Sequence, residues 1–426
     1  MKETLAKTTP DASLRGVRVV VMSQFYDPEP VPIPGHVARG LADRGADVEV
    51  LTMQPKYPDG MPFAAEPRDG ADGDHPRVRV RRIRAWRRHP RNGGGRVVSY
   101  LSFAAAAMMR RRILRAADVV YVYGTPMTAA LPVWLAGSRM PPYLVHVQDL
   151  WPESVTGSSM VPGRLQGLVR SCLDPWLRSV YGRAAFVMAI APTMRDRLAS
   201  RSPAPGRVHT VLNWANESDG PAPRRSRSAP VGGLRLLYAG NVGWMQGLDG
   251  VIEAVRRVPP HVPVQLRVIG AGSALEEVAR RAADQVAAGR VVFIPPVPAS
   301  ELEPHYAWAD FSLVPLRGLH VFEATIPSKL QGSLYAGLPV ITTVSGDVRS
   351  LVEKHGLGLV ANADDPDSIA QAMVAAARVD PVGYSAWSHR VATYYRGNMS
   401  REVGLDRIAA LVSAATSMTE TDTQET

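Results

Sequence analysis

The sequence predicts an α/β protein built from two Rossmann-like domains. Three observations carry that prediction. A strand, loop and helix recur in that order along the chain, and a polar, proline-rich stretch at residues 218–233 interrupts the recurrence before it restarts. The length, 426 residues, is too great for one ordinary core and suits two α/β domains of about 150–200 residues each. A hydrophobic fraction of 46% with 21% charged residues belongs to a packed chain and excludes disorder over the main body.

The elements follow in order. A buried strand is expected at residues 17–22, then a Pro-rich loop at 27–34 and a helix at 35–44. Gly45 stops that helix before a strand at 48–52. Such βαβ spacing gives a parallel sheet with helices on both faces. Further strands are expected at 78–83, 119–123, 143–147 and 186–190, a short helix at 193–200, and a closing strand at 208–212. The polar segment 60–75 reads as a surface excursion. Pro221, Pro223 and Pro230 with Arg224, Arg225 and Arg227 mark 218–233 as a linker. Beyond it come strand 234–239, helix 247–257, strand 265–269, helix 275–288, strand 291–294, helix 302–308 and strand 311–314. Helix 328–336, strand 340–343 and helix 366–377 complete the set. The expected division is a domain over 1–217, the linker, and a domain over 234–384, with a C-terminal helix at about 385–415 packing back on the first domain.

The formal net charge of +10 is carried overwhelmingly by arginine. It favours anionic partners such as phosphorylated donors or acidic lipid surfaces; the plainer reading is the arginine bias of a GC-rich genome. Under that bias the few lysines are the informative cations. Aromatics are only 7%, and no recognised nucleic-acid module is present, so nucleic acid is not expected as a partner. Cys172 is the only cysteine, which excludes an internal disulfide or a cysteine metal site and suits a reducing compartment. Residues 1–15 lack a secretory core. The most apolar later stretch, 100–109, is half a membrane span and ends in Arg110, Arg111 and Arg112. These features predict a cytoplasmic protein, with the inner face of the cell membrane as the place for any peripheral contact. Oligomeric state is not legible.

Two segments of the second half carry chemistry. After the strand at 234–239, Gly240, Asn241 and Gly243 begin a glycine-rich turn that ends at Gly247 and opens a helix. Glycines at such a junction let backbone N–H groups approach an anion, and the helix N-terminus adds a favourable field. Gly270 and Gly272 form a similar turn but lack a third glycine and a downstream acidic residue, so they read as structural. In the segment 322–340, Pro327 stands where a helix starts, Gly337 just past its end, and Pro339 before the next strand. Lys329 therefore lies in a first helical turn, where the helix dipole disfavours a cation unless an anion is also held there. Free N–H groups plus an ammonium make a phosphate clamp.

Glu323 and Gln331 are separated by seven residues. With Pro327-Ser-Lys-Leu330 and Tyr335-Ala-Gly-Leu-Pro-Val340 they resemble the E-x7-E region of retaining family-4 glycosyltransferases, which have the GT-B fold. Tyr238-Ala-Gly-Asn-Val-Gly243 resembles that family's first donor loop. His146-Val-Gln-Asp-Leu-Trp-Pro-Glu153 and Val211-Leu-Asn-Trp214 are similar to its bacterial cell-surface polysaccharide branch, including N-acetyl-fucosamine transferase-like enzymes. The resemblance spans roughly residues 17–410. It implies two domains facing across a cleft, a nucleoside-diphosphate sugar as co-substrate, UDP-linked and in one reading an N-acetylhexosamine, and no cofactor or metal. It also implies that Glu323 binds donor-sugar hydroxyls and that Lys329 binds the diphosphate with the backbone of Ser328 and Leu330. Gln331 stands where a second glutamate grips the ribose, so a charge-assisted contact is replaced by an amide. The basic residue usual in the first loop is missing, with Gln246 nearby.

In the first half, the strand at 143–147 delivers Gln148, Asp149 and Glu153 to the carboxyl end of the sheet, where α/β sites form. Asp149 is the candidate to orient or deprotonate an acceptor hydroxyl. Gly35 and His36 open a helix on the acceptor side; taken alone, His36 reads as a helix-cap histidine. His146 alternates with apolar neighbours and fits either the acceptor side or the core; Glu153 follows Pro152 and fits a helix cap. Residues 77–96 are rich in arginine, which reads as a solvated strand face or as a basic surface for an anionic membrane. The strings Asp72-Gly-Asp74 and Asp365-Pro-Asp367 lack a strand setting and read as structural, with no metal site. A lipid-linked acceptor and a small-molecule acceptor both remain open. So do two other functions: a non-hydrolysing sugar-nucleotide epimerase and a basic membrane- or nucleic-acid-associated binding protein.

Overall fold

A computed structural model describes residues 13–55, 70–72, 75–85, 93–137, 140–156, 161, 163–217 and 233–424. The chain divides into two compact units, one of Met1–Leu212 with Glu402–Thr426 and one of Asn213–Arg401. Each holds a parallel sheet wrapped by helices. The expected linker, 218–233, lies outside the described residues but for Gly233; of the expected excursion, 60–75, residues 70–72 and 75 are described, and they belong to strands and not to a loop.

The first unit contains strands β1 (Arg18–Met22), β2 (Asp47–Met53), β3 (Gly70–Asp72), β4 (His75–Ile83), β5 (Val119–Gly124), β6 (Tyr143–Val147), β7 (Phe186–Ala189) and β8 (Val208–Thr210). Their order is β3-β4-β2-β1-β5-β6-β7-β8, parallel throughout except for the β3–β4 edge pair. Every residue of β5 and β6 is buried, as strands covered on both faces must be. The helix Pro32–Asp43 starts three residues earlier than expected, because prolines are tolerated in a first turn whose N–H groups have no helical partner. The helix Gln166–Arg183 was not expected at all. Pro175 interrupts its interior, and only Leu177, Val180 and Tyr181 are buried, so its apolar period is faint.

The second unit contains β9 (Leu234–Ala239), β10 (Val264–Ile269), β11 (Val291–Ile294), β12 (Phe311–Val314), β13 (Val340–Thr342) and β14 (Gly358–Val360), in the all-parallel order β11-β10-β9-β12-β13-β14. Leu236, Tyr238, Leu266, Val268 and Phe311 pack on one face of this sheet against the helices Leu248–Arg257 and Pro366–Ala377. The expected helix at 275–288 is broken at Ala282 into Leu275–Arg281 and Ala283–Ala287. The helix Asp347–His355 and the short β14 were not expected.

The C-terminal expectation needs correction. The helix Pro381–Asn398 stays with the second unit, and only the helix Arg401–Gln424 joins the first, from Glu402 onward. The buried face of the former fastens it in place. Tyr384 Oη donates to the Asp310 carbonyl at 2.8 Å, Ser388 Oγ to the Gly337 carbonyl at 2.7 Å, and Trp387 Nε1 to the Gly356 carbonyl at 2.6 Å. The later helix meets the first unit through Leu405, over which Gly40 leaves space, and through Asp406, whose carboxylate lies 2.5 Å from Arg44 Nη2. The first boundary also moves, to Leu212, because Glu217 accepts hydrogen bonds from Tyr395 Oη at 2.5 Å and the Arg401 N–H at 2.7 Å.

Candidate active site

In the second unit the strand order reverses between β9 and β12. Ligands of open α/β sheets bind outside the carboxyl ends of the strands at such a reversal. The turn 240–247 leaves the sheet there after β9, and the segment after β12 leads into the helix Ser328–Tyr335. Both segments singled out from the sequence thus emerge from adjacent strands.

Lys329 runs directly along Gly240. A Cβ placed on Gly240 would lie 2.5 Å from Lys329 Cε, so a side chain there would push the lysine off this path. The lysine Nζ sits 5.1 Å from the Tyr238 ring centroid, a cation–π distance. No carboxylate pairs with it among the described residues, and burial pushes its pKa down to about 8. A largely charged, partly desolvated ammonium without a counter-ion is therefore held at a helix N-terminus that has no acidic residue in its first turn. The N–H groups of Ser328 and Lys329 have no acceptor among the described residues. Leu330 differs from expectation: its N–H donates to the Pro327 carbonyl at 2.9 Å and its side chain is fully buried, so its backbone has no N–H left for a phosphate. Ser333 anchors the helix to β12, with Oγ 2.7 Å from both Ser312 Oγ and the Lys329 carbonyl oxygen.

Glu323 is fixed by its backbone. Its carbonyl accepts the Asp347 N–H at 2.9 Å, and a Cβ on Gly346 would meet that carbonyl at 2.2 Å. Its partly exposed carboxylate lies 2.9 Å from His320 Nδ1. Gln331 is buried, with its amide nitrogen 3.5 Å from the Ile326 carbonyl oxygen, so it faces the segment preceding the helix. Gln246 closes the first turn: its Oε1 accepts from the Gly243 N–H at 2.9 Å and from Asn241 Nδ2 at 3.2 Å. Those bonds occupy the Gly243 N–H and one N–H of the Asn241 amide, and Gly240 is the part of the turn that meets Lys329. Gly270 and Gly272 are structural, as read: added Cβ atoms would lie 1.9 Å from the Gly240 carbonyl oxygen and 2.3 Å from that of Val242.

Arg317 carries no sequence signal, yet it braces this end of the sheet. Its Nη2 reaches both Asp249 oxygens at 2.8 and 2.9 Å, its Nη1 reaches Asp364 at 2.8 Å, and its guanidinium stacks 4.7 Å from the Trp244 ring centroid. Those partners consume its charge. Asp365 caps the helix Pro366–Ala377 through the N–H groups of Asp367 and Ser368, which accounts for one of the two D-x-D strings; Asp74 of the other lies outside the described residues.

In the first unit the order reverses between β1 and β5. Asp149, just beyond β6, reaches solvent, while the protein around it desolvates the carboxyl and raises its pKa above the ordinary range. It lies near the carboxyl ends of the strands, where a carboxyl shifted in this direction is a candidate functional group. Gln148 beside it is mostly buried. His146 has no exposed surface. It is fully buried on β6, its Nδ1 is 2.6 Å from Tyr121 Oη, and burial lowers its pKa to about 4. The physical reason is that β6 is covered on both faces, so alternation along it gives no open side. Glu153 is also committed. Burial pushes its carboxyl up, but Arg201 and Arg170 together bring it below the usual range, and Arg201 Nη1 lies 3.1 Å from Glu153 Oε2. Gly35 leaves room for the Asp27–Arg39 ion pair, at 2.8 Å, and His36 is half-buried in the same helix.

A doubly wound sheet with an unpaired, partly buried lysine near its switch point is the setting in which open α/β enzymes bind ligands. Residues 32–214 match the family described as a glycosyl transferase 4-like domain, and residues 233–378 match glycosyl transferases group 1. The chain is a glycosyltransferase of the GT-B type. It is 24% identical over 347 residues to the putative colanic acid biosynthesis glycosyl transferase WcaI of Escherichia coli (strain K12), covering 77% of this chain and 83% of that one. Among solved structures, sucrose-phosphate synthase from Thermosynechococcus elongatus superposes with a TM-score of 0.69 at 16% identity, over 93% of this chain and 98% of that one. Anabaena HepE in complex with UDP-glucose gives 0.63 at 13% identity, over 93% and 99%.

Proposed function

We propose that this glycosyltransferase is a retaining, metal-independent enzyme of glycan biosynthesis that moves a hexosyl group from a nucleoside-diphosphate sugar to an acceptor hydroxyl. UDP is the first nucleotide to test and an N-acetylhexosamine the first sugar. The observation that carries the reading is the unpaired, partly desolvated Lys329 ammonium lying along Gly240 at the start of the helix Ser328–Tyr335. As the glycosidic bond breaks, negative charge grows on the departing diphosphate. The ammonium and the N–H groups of Ser328 and Lys329 are already oriented to meet it, at no cost of reorganisation. Glu323, held by Gly346 and Asp347, has the carboxylate to accept hydrogen bonds from sugar hydroxyls. Asp149, with its raised pKa, is assigned to orient the acceptor hydroxyl and draw off its proton. WcaI is named for colanic acid biosynthesis, and the surface-polysaccharide branch is the setting we assign.

The test is a thermal-shift titration of the full chain with UDP-, GDP- and dTDP-sugars. A ligand present at a hundred times its Kd adds about 2.7 kcal/mol of stability, so one nucleotide series should raise Tm plainly. If none does, the donor-site reading falls.

The pH dependence follows from Lys329. Binding needs the protonated amine, and in the free protein it deprotonates near pH 8. Donor affinity should hold below that pH and weaken by up to about tenfold per unit above it, until the higher pKa of the bound complex is passed. Calorimetry across pH 6.5–9.5 checks the sign, since proton uptake should accompany binding around pH 8. Affinity that rises through this range would contradict the clamp.

A further inference from the structure

The helix Gly93–Met109 of the first unit has two apolar faces. One is buried: Phe103 and Ala107 are fully covered, with Ser99, Ala104 and Ala106 nearly so. The other is open: Val97, Leu101 and Met109 are 41%, 48% and 78% exposed, and Ala105 is exposed between them. These four positions recur every fourth residue, and with exposed Val98 they span an arc of about 120°. From Val97 to Met109 no residue is charged. Immediately afterwards Arg110, Arg111, Arg112 and Arg115 are all exposed, and none pairs with a carboxylate among the described residues.

No helix among the described residues is long and apolar enough to cross a membrane. An apolar stripe on a helix about 25 Å long, ending in arginines, instead suits lying along a surface. The buried side of the same helix reaches the reacting end of the unit. Ser99 Oγ lies 3.5 Å from Gln24 Nε2, just beyond β1, and the Tyr100 phenol feels the Asp149 carboxylate.

We propose that the outer face of the helix Gly93–Met109 docks on an anionic phospholipid bilayer. Val97, Leu101, Ala105 and Met109 enter the boundary between headgroups and acyl chains, and Arg110, Arg111, Arg112 and Arg115 pair with lipid phosphates. Charge complementarity selects this occupant, because a chain of net charge +10 repels its own copy but is drawn to an acidic bilayer. A chain held on a bilayer meets its acceptor at the lipid surface, so the acceptor class assigned is a lipid-linked one; that extension rests on the transferase reading above.

Co-sedimentation of the full chain with phosphatidylcholine vesicles, with and without phosphatidylglycerol, tests the proposal in the absence of donor. The protein should pellet only with phosphatidylglycerol vesicles and be released by salt. Replacing Arg110, Arg111, Arg112 and Arg115 by alanine should weaken partitioning by about a hundredfold or more. Leu101→Ser and Met109→Ser should each weaken it roughly tenfold at unchanged charge. Each variant should keep the donor-induced thermal shift, which shows that it folds and separates this proposal from the donor site. Failure of the wild type to pellet with anionic vesicles overturns the proposal, as does pelleting of both variant classes like wild type. A dimer in solution that Leu101→Ser dissociates would show that a second copy covers the stripe instead.

Discussion

Lys329→Met should lower kcat/KM by about 10²–10³-fold, the loss typical of removing one preorganised group that meets developing charge, about 2.7–4 kcal/mol. Methionine keeps the unbranched stem that runs along Gly240 and removes only the charge, so the loss reports electrostatics and not a collapsed turn. Stability should move the opposite way. Folding lowers the lysine from its ordinary value of 10.5 to about 8, so the charged form is disfavoured in the folded state. That penalty is fully present below pH 8, amounts to about 3 kcal/mol at most, and fades as pH rises toward 10.5. The variant without donor should therefore melt at or above the wild-type temperature near neutrality. The wild type should close the gap between pH 8 and 10.5. A variant that turns over donor like wild type removes Lys329 from the site.

Gly270→Ala should be the most damaging small substitution in the second unit. The position has φ near +146°, a region that L side chains rarely adopt, and the new Cβ would lie 1.9 Å from the Gly240 carbonyl oxygen and 2.9 Å from its carbon. Those are backbone atoms of the neighbouring turn and cannot swing aside like a side chain. Strain alone costs about 1–3 kcal/mol, and displacing the turn after β9 adds to it, so a total of about 4 kcal/mol is expected. Because that turn carries Gly240, donor binding should weaken as well. Gly250→Ala is the control. Nothing lies within 4 Å of its Cβ position, in the helix Leu248–Arg257, and the change should stabilise by about 0.5–1 kcal/mol. Urea midpoints of the two variants should move in opposite directions; equal midpoints would refute the close-approach argument.

Much of the fold was legible because parallel strands buried on both faces are short, continuous apolar runs. The strands at 143–147, 234–239, 291–294 and 311–314 have the expected bounds. The helix Gln166–Arg183 was not legible, since an internal proline and a mostly exposed surface erase the helical period. Prolines at the start of Pro32–Asp43 suggested a loop that the first helical turn in fact accommodates. Within the site, Lys329 stood out by a conflict between its charge and the helix dipole, a conflict visible in one dimension. Glu323 and Gln331 stood out by resemblance alone.

Other roles depended on distance. Arg317 and Asp249 are 68 positions apart and meet only because adjacent parallel strands deliver their loops to the same end of the sheet. The same folding places Arg201 on Glu153 and Tyr121 on His146, turning two polar residues of a promising segment into structural ones. Periodicity, turn chemistry and helix-end electrostatics are local properties, so the order of residues determines them directly. Whether a charge is paired, buried or open to a ligand is settled by neighbours remote in sequence, and only the tertiary structure brings those neighbours together.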